Sequence, residues 1–239
     1  MSANVIAKNN VYGKNCSLVS APVDTFTALG IKANERTKQD GITFLEQLPG
    51  ASIPCVFFDP QYRGVLDKLG YGNEGERQKG RALLMQMDDV KICEFIAEID
   101  RVLVPSGHLF LWLDKFHLID GFKRWFDGTD LNVVDHITWN KKRLGMGYRT
   151  RRVSEHLIIL QKSPKKAKGV WCVHNIPDVW DEPKPGKHPH GKPIRLQAAL
   201  IAAVTRKGDV ILDPAAGSYS VMDSARRVGR QFIGCDLEG

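Results

Sequence analysis

Apolar positions along this chain switch between the two-residue rhythm of strands and the longer rhythm of helices. Ile53 to Phe58 is a continuous apolar run that stops at Asp59-Pro60, which predicts a buried strand. From Val90 to Leu103 the positions Val90, Cys93, Ile96, Ile99 and Leu103, joined by Phe95 and Val102, recur at helical spacing. Pro105-Ser106-Gly107 breaks that helix, and His108 to Leu113 predicts the next central strand. A helix near Phe116 to Phe126 follows, then strands at Leu131 to Trp139 and His156 to Gln161. Pro193 opens a helix through Arg206 that Gly208 ends. Val210 to Leu212 predicts a strand, Ser220 to Val228 a helix, and Gln231 to Asp236 a last strand. The alternation predicts an α/β fold, a doubly wound and mostly parallel sheet with helices on its faces. Between Pro164 and His190 the breakers Pro164, Pro177, Pro183, Pro185 and Pro189 predict an irregular surface excursion spanning 162–190. The first 35 residues carry no readable rhythm and are expected to form a mixed loop and arm.

Composition narrows the class. At 239 residues and 43% apolar content the chain can bury one substantial core, so a single domain over 1–239 is expected. It has no apolar run of ~18 residues and no secretory pattern at its start, which argues against a membrane span or export and for a cytoplasmic protein. Cys16, Cys55, Cys93, Cys172 and Cys235 are widely spaced without a C-x-x-C pair, so neither a disulfide scaffold nor a zinc site is expected. His188 and His190 lack a nearby third ligand, and no metal is expected there either. The net charge of +7 suggests a polyanionic partner but decides nothing by itself. Its distribution is more telling: half of the residues from Lys141 to Arg152 are cationic and none is acidic. Lys141, Lys142, Arg143, Arg149, Arg151 and Arg152, with Tyr148 and two glycines between them, describe a loop able to follow a phosphate backbone and stack on bases. A solvated hairpin tip is the plainer reading of the same residues.

Two strand ends are chemically marked. The first, Val56-Phe57-Phe58-Asp59-Pro60-Gln61-Tyr62, delivers a carboxylate and an aromatic to the carboxyl edge of the sheet, where open α/β folds bind ligands. A nucleobase amine is a weak nucleophile because its lone pair is delocalised into the ring. It needs acceptors for its N–H groups and a flat surface for the base once it leaves the stack. Asp59 and the Pro60 carbonyl suit the first need and Tyr62 the second, although Asp-Pro also marks ordinary strand-end turns. The second end is Asp213-Pro214-Ala215-Ala216-Gly217-Ser218, a small-residue loop between strand and helix, with Asp236 closing the next strand about 20 residues on, as suits a ribose. G-x-G-x-x-G is absent, so a nucleoside without a diphosphate is the better ligand. Lys192, at the start of a helix, is aimed at an anion such as a carboxylate or phosphate. The Gly-rich segment Arg63 to Arg81 follows Tyr62 closely enough to close over the site.

Taken together these residues resemble the DNA amino-methyltransferases. Asp59-Pro60-Gln61-Tyr62 is similar to their D-P-P-Y motif, and Leu212 to Ser218 to their D-P-F-A-G-S-G-T cofactor loop. His188 to Leu196 is similar to H-P-x-x-K-P-x-x-L, and Phe232 to Leu237 to F-I-G-x-E. The catalytic motif precedes the cofactor loop, which is the circularly permuted order of the family's beta group, and the likeness runs from about Asp40 to Glu238. The resemblance implies a Rossmann-like fold and an S-adenosylmethionine-dependent transfer of methyl to adenine N6 of a base flipped from double-stranded DNA. Restriction–modification systems of prokaryotes or phages are its usual setting. Asp59, Pro60 and Tyr62 would then be catalytic. Asp40, Lys192, Asp213, Ala215, Gly217, Ser218 and Asp236 would bind the cofactor, and the basic loop the DNA. Asp at the first motif position favours adenine in this family, where cytosine-N4 enzymes more often carry Ser.

The sequence also departs from the pattern. Gln61 stands for the second proline, and Tyr219 for the second glycine of the cofactor loop, where its side chain would either reach solvent or crowd the cofactor. Only a short stretch separates Lys162 from His188, so target recognition falls to residues 162–190, to the Gly-rich segment or to a second subunit of a homodimer. Cytosine-N4 methylation, RNA or protein-amide methylation and a silent DNA-binding module remain as alternatives. Carbon methylation needs a cysteine nucleophile, and Cys55, inside the apolar strand, reads as core.

Overall fold

The computed structural model describes residues 16–61, 87–145, 149–185 and 191–239. The strands are β1 (Thr37–Lys38), β2 (Ile53–Phe58), β3 (Leu103–Leu113), β4 (Leu131–Asn140), β5 (Ser154–Lys162), β6 (Val179–Asp181), β7 (Val210–Asp213) and β8 (Gln231–Asp236). They form one sheet in the order β1-β8-β7-β2-β3-β5-β4-β6. The helices are α1 (Val23–Ala28), α2 (Gly41–Glu46), α3 (Asp89–Val102), α4 (Lys115–Asp120), α5 (Ile194–Val204) and α6 (Ser220–Arg227), with a 3₁₀ turn at Lys123–Phe126.

Strand alternation sorts the core into two layers. Val56, Phe58, Leu109, Leu111, Ile158, Leu160, Val210 and Leu212 pack on one face against α1, α2, α3 and the 3₁₀ turn. Cys55, Phe57, Phe110, Trp112, Leu157, Ile159 and Ile211 pack on the other against α5 and α6. Both faces of the central strands are therefore covered, which is why they read as unbroken apolar runs. Aspartates at Asp40, Asp88 and Asp114 cap the N-termini of α2, α3 and α4, each accepting backbone N–H groups of the first turn.

The expected elements are present, with instructive differences. Pro105-Ser106-Gly107 does not end a segment: Ser106 takes a φ of 64° and the chain continues as β3 through a register shift against β2. The helix expected from Phe116 to Phe126 is cut in two by Gly121 at φ 94°. The opening residues, expected as loop and arm, contain α1, whose Phe26 is buried. Residues 162–185 are irregular but are no mere surface excursion. Val170, Cys172 and Trp180 are buried, Cys172 N–H donates to Ala203 O, and β6 pairs in parallel with β4. Apolar side chains scattered among breakers give no rhythm yet still anchor the segment.

One consequence of the strand order governs function. From β7 the chain leads through α6 to β8 on one side, while its other neighbour β2 leads towards β3. The β7/β2 boundary is thus a topological switch point, where open α/β sheets hold ligands beyond the strand ends.

Candidate active site

β2 and β7 are parallel neighbours, with Cys55 opposite Ile211 and Val56 opposite Leu212. Asp213 ends β7 one residue past this register and Asp59 stands just beyond the end of β2, so both acids emerge on the same rim. Asp213 lies within the electrostatic reach of Asp59.

The β7 side carries the small-residue loop. Asp213 is buried; its Oδ1 accepts the Ala215 N–H at 3.1 Å, and burial pushes its carboxyl up to about 8, with the charges of Asp59 and Asp236 adding to the rise. Asp236 Oδ2 accepts the Gly217 N–H at 3.1 Å, which brings the end of β8 to the loop. Gly217 has a φ of 48°, and a Cβ there would meet nothing within 4 Å, so the loop opens onto space. α2 approaches from the other side. A Cβ on Gly41 would lie 2.3 Å from Pro214 O, so only glycine lets the start of α2 sit against the loop. That approach carries Asp40 to the loop, with its Oδ1 occupied as the cap of α2. Acidic side chains around an open, glycine-lined backbone suit a ligand that combines a cationic centre with ribose hydroxyls, and the residues present fit S-adenosylmethionine in this way.

The β2 side carries a chain of charges. Lys192 Nζ lies 2.9 Å from Asp59 Oδ2 and 2.8 Å from Glu155 Oε2, while Lys141 Nζ lies 3.2 Å from Glu155 Oε1. The same Lys192 ammonium stands 4.9 Å over the Trp112 ring. The sheet explains the meeting. Trp139 pairs with Glu155 across β4 and β5, Trp112 pairs with Leu157, and α5, which Lys192 precedes, packs on that face. Glu182 steadies the start of α5 by accepting the Arg195 and Leu196 N–H groups. Against the desolvation of burial, Lys192 and Lys141 hold Glu155 down to about 2. Burial raises the Asp59 carboxyl and the nearby Glu155 adds to the rise, which Lys192 opposes. The two carboxylates in turn raise Lys192 above the ordinary lysine range in spite of its desolvation.

Several expected site residues take different places. Lys192, expected to contact the cofactor, has its ammonium engaged by two protein carboxylates and an aromatic face. Lys141, expected on the nucleic-acid surface, has its ammonium paired with Glu155. The loop itself is the tip joining β4 to β5, closed by the Gly145 N–H donating to Arg152 O. Lys142 pairs with Asp181 at 2.6 Å, Arg151 donates to Gly145 O, and the Arg152 guanidinium lies 5.2 Å over Phe116. Arg143 and Arg149 are exposed. Pro60 is buried beside Asp59, and Gln61 O accepts the Met87 N–H at 2.7 Å. Ala215 and Ser218 lie half-buried along the loop. Tyr62, Tyr148, His188, His190 and the segment Arg63 to Arg81 lie outside the described residues.

Tyr219 does neither of the two things expected of it. At φ 59° its ring is fully buried, edge-on to Phe232 at 6.0 Å. Its hydroxyl donates to Thr37 O at 3.0 Å and accepts the Thr37 N–H at 3.2 Å. The side chain thus ties β1, and with it the approach to Asp40, to the end of the sheet. Glu155 is met in the sequence only as the end of the basic segment, without the pairing role it takes here, and Trp112 is a site residue that the sequence does not mark. A lone acid closing a basic run is the available signal for Glu155; Trp112 offers none beyond its strand. Cys55 is fully buried and its thiol is pushed well up, as befits core packing.

A family profile described as DNA methylase (N6_N4_Mtase) matches residues 53–239. The chain is 56% identical over 207 residues to the type II methyltransferase M.HhaII of Haemophilus parahaemolyticus, covering 85% of this chain and 91% of that protein. It is 29% identical over 231 residues to the type II methyltransferase M2.DpnII of Streptococcus pneumoniae, covering 83% of each. Among solved structures, the M1.HpyAVI–SAM complex superposes with a TM-score of 0.61 at 18% identity, covering 86% of this chain and 94% of that one. The cytosine-N4-specific PvuII DNA methyltransferase superposes with 0.62 at 16% identity, covering 87% and 85%. At these identities the structural likeness is one of fold.

Proposed function

The chain belongs to the family of DNA methylases, and from that premise we propose that it methylates the exocyclic N6 of an adenine turned out of double-stranded DNA. The observation that supports this most is the shared rim of β7 and β2, which sets the acidic, glycine-lined loop beside Asp59. When bound, S-adenosylmethionine supplies an electrophilic methyl on sulfur, so the amine attacks directly and no enzyme nucleophile is needed. Asp236 and Asp40 would hold the cofactor's nucleoside part, and the backbone of Ala215 to Ser218 would line its methionine part. Asp59 and the Pro60 carbonyl accept the two amine N–H groups, favouring the rehybridisation that frees the nitrogen lone pair. Tyr62 receives the base face. Asp59, at a position where cytosine-N4 enzymes more often carry Ser, favours adenine.

The exposed Arg143 and Arg149 are assigned to DNA phosphates. Lys162 leaves β5 at the rim opposite Asp59, whereas β6 returns beside the site-facing end of β4. Sequence-specific contacts within 162–190 are therefore assigned to the part after β6, with a second protomer as a further source that sizing of the DNA complex will reveal. The chain is incubated with isotope-labelled S-adenosylmethionine and unmethylated DNA, and the product nucleosides are separated by mass spectrometry. N6-methyladenine is expected from the native chain. Asp59→Ala should yield none while still binding cofactor. N4-methylcytosine, or transfer by the Asp59→Ala chain, overturns the reading.

A further inference from the structure

Lys192 is an unusual lysine for a rim residue: its side chain is only 15% exposed, and the directions around its ammonium lead to Asp59, Glu155 and the Trp112 ring. Burying a lysine is costly, and such an ion pair often contributes little to stability over apolar packing. The arrangement also divides the labour of each carboxylate. Glu155 gives one oxygen to Lys192 and the other to Lys141. Asp59 gives Oδ2 to Lys192, and among the described residues its Oδ1 meets no hydrogen-bond donor. We propose that Lys192, gripped by Glu155, is a positioning residue for Asp59: it fixes Oδ2 so that Oδ1 is presented to the target amine. This rests on the reading of Asp59 as the amine acceptor and assigns Lys192 to the acceptor rather than to the cofactor.

The charges around Asp59 give the proposal a signature that a purely structural ion pair lacks. Facing Asp59 are Lys192 from the start of α5, Glu155 from β5 and Asp213 from β7, with Lys141 of the β4 tip beyond Glu155. Lys192 favours the ionised Asp59, whereas Glu155 opposes it. Lys192→Met therefore makes Asp59 harder to ionise, and Glu155→Gln makes it easier. The acidic limb of the methyl-transfer rate should move up in pH in the first variant and down in the second. Both should transfer methyl more slowly, since Asp59 has lost its fixed partner or that partner its anchor.

The experiment is single-turnover methyl transfer against pH for the full chain, with cofactor affinity of each variant measured by calorimetry. Lys192→Arg, which keeps the charge, should leave the limb in place and restore part of the rate. The double variant Lys192→Met/Glu155→Gln removes both charges together and keeps the test available if Lys192→Met alone does not fold. Its limb should lie above that of Glu155→Gln. Limbs that stay put, or that move the same way in both single variants, overturn the proposal. So does a loss of more than about tenfold in cofactor affinity in Lys192→Arg or Lys192→Met, roughly the worth of one charge-assisted contact, because Lys192 would then serve the ligand. Asp59→Ala, run alongside, tests the underlying reading separately: transfer by that variant sinks the role of Asp59 whatever the limbs do.

Discussion

Tyr219 occupies the position where the resemblance expects glycine, and the obvious restoration, Tyr219→Gly, should weaken the protein. Removing a fully buried aromatic side chain typically costs about 3–5 kcal/mol. Loss of the hydroxyl also leaves the Thr37 N–H and C=O without their side-chain partner, about 1 kcal/mol for each bond. Against this, glycine relieves the left-handed backbone at φ 59°, returning about 1–2 kcal/mol. The balance is a destabilisation of about 4 kcal/mol, or a fall in Tm on the order of 10 °C for a chain of this size. Tyr219→Phe keeps the ring and loses only the hydroxyl, so it should fall between the two, at about 1–2 kcal/mol. Urea unfolding of the three chains, followed by tryptophan fluorescence, measures both differences. A Tyr219→Gly chain as stable as the native one would refute the packing argument. Equal stability of Tyr219→Phe and native chains would refute the role given to the hydroxyl.

Three further outcomes follow from the same geometry. A Cβ on Gly234 would lie 2.2 Å from Asp213 O, so Gly234→Ala should force β8 and β7 apart, costing about 1–3 kcal/mol in urea unfolding and weakening cofactor binding in calorimetry; native values for both would contradict it. The Asp213 carboxyl, raised to about 8 from 3.8, holds its proton more tightly in the folded state. Its contribution to stability is therefore full below about pH 4 and is lost as pH rises through about 8, so Asp213→Asn should flatten the fall in stability across that window. An unchanged slope in urea titrations would show that Asp213 is not the group responsible. Replacing Arg143 and Arg149 together by Ala should lower the slope of log affinity for DNA against log salt by roughly 0.9 for each phosphate no longer neutralised, and an unchanged slope would place the DNA elsewhere.

Much of this molecule is legible from local pattern alone. Apolar runs ending in Asp59-Pro60 and Asp213-Pro214 define two strand ends because burial on both faces demands continuous apolar residues and a turn demands a break. That the glycines at 41 and 234 sit at backbone contacts admitting no side chain is decided only by the assembled sheet and loop. Local rhythm reports which residues are buried, but not against what. Thus α1 is hidden among opening residues without periodicity, and Val170, Cys172 and Trp180 are hidden among prolines although they pack inward. The charged group at the rim lies further still from local pattern. Lys141, Glu155 and Lys192 come from the end of β4, from β5 and from the start of α5, and only strand pairing and the packing of α5 bring them to Asp59. Tyr219 makes the same point in one side chain: the loop motif gives its position, while its burial depends on a cleft between Phe232 and Thr37 that exists only once the sheet is assembled.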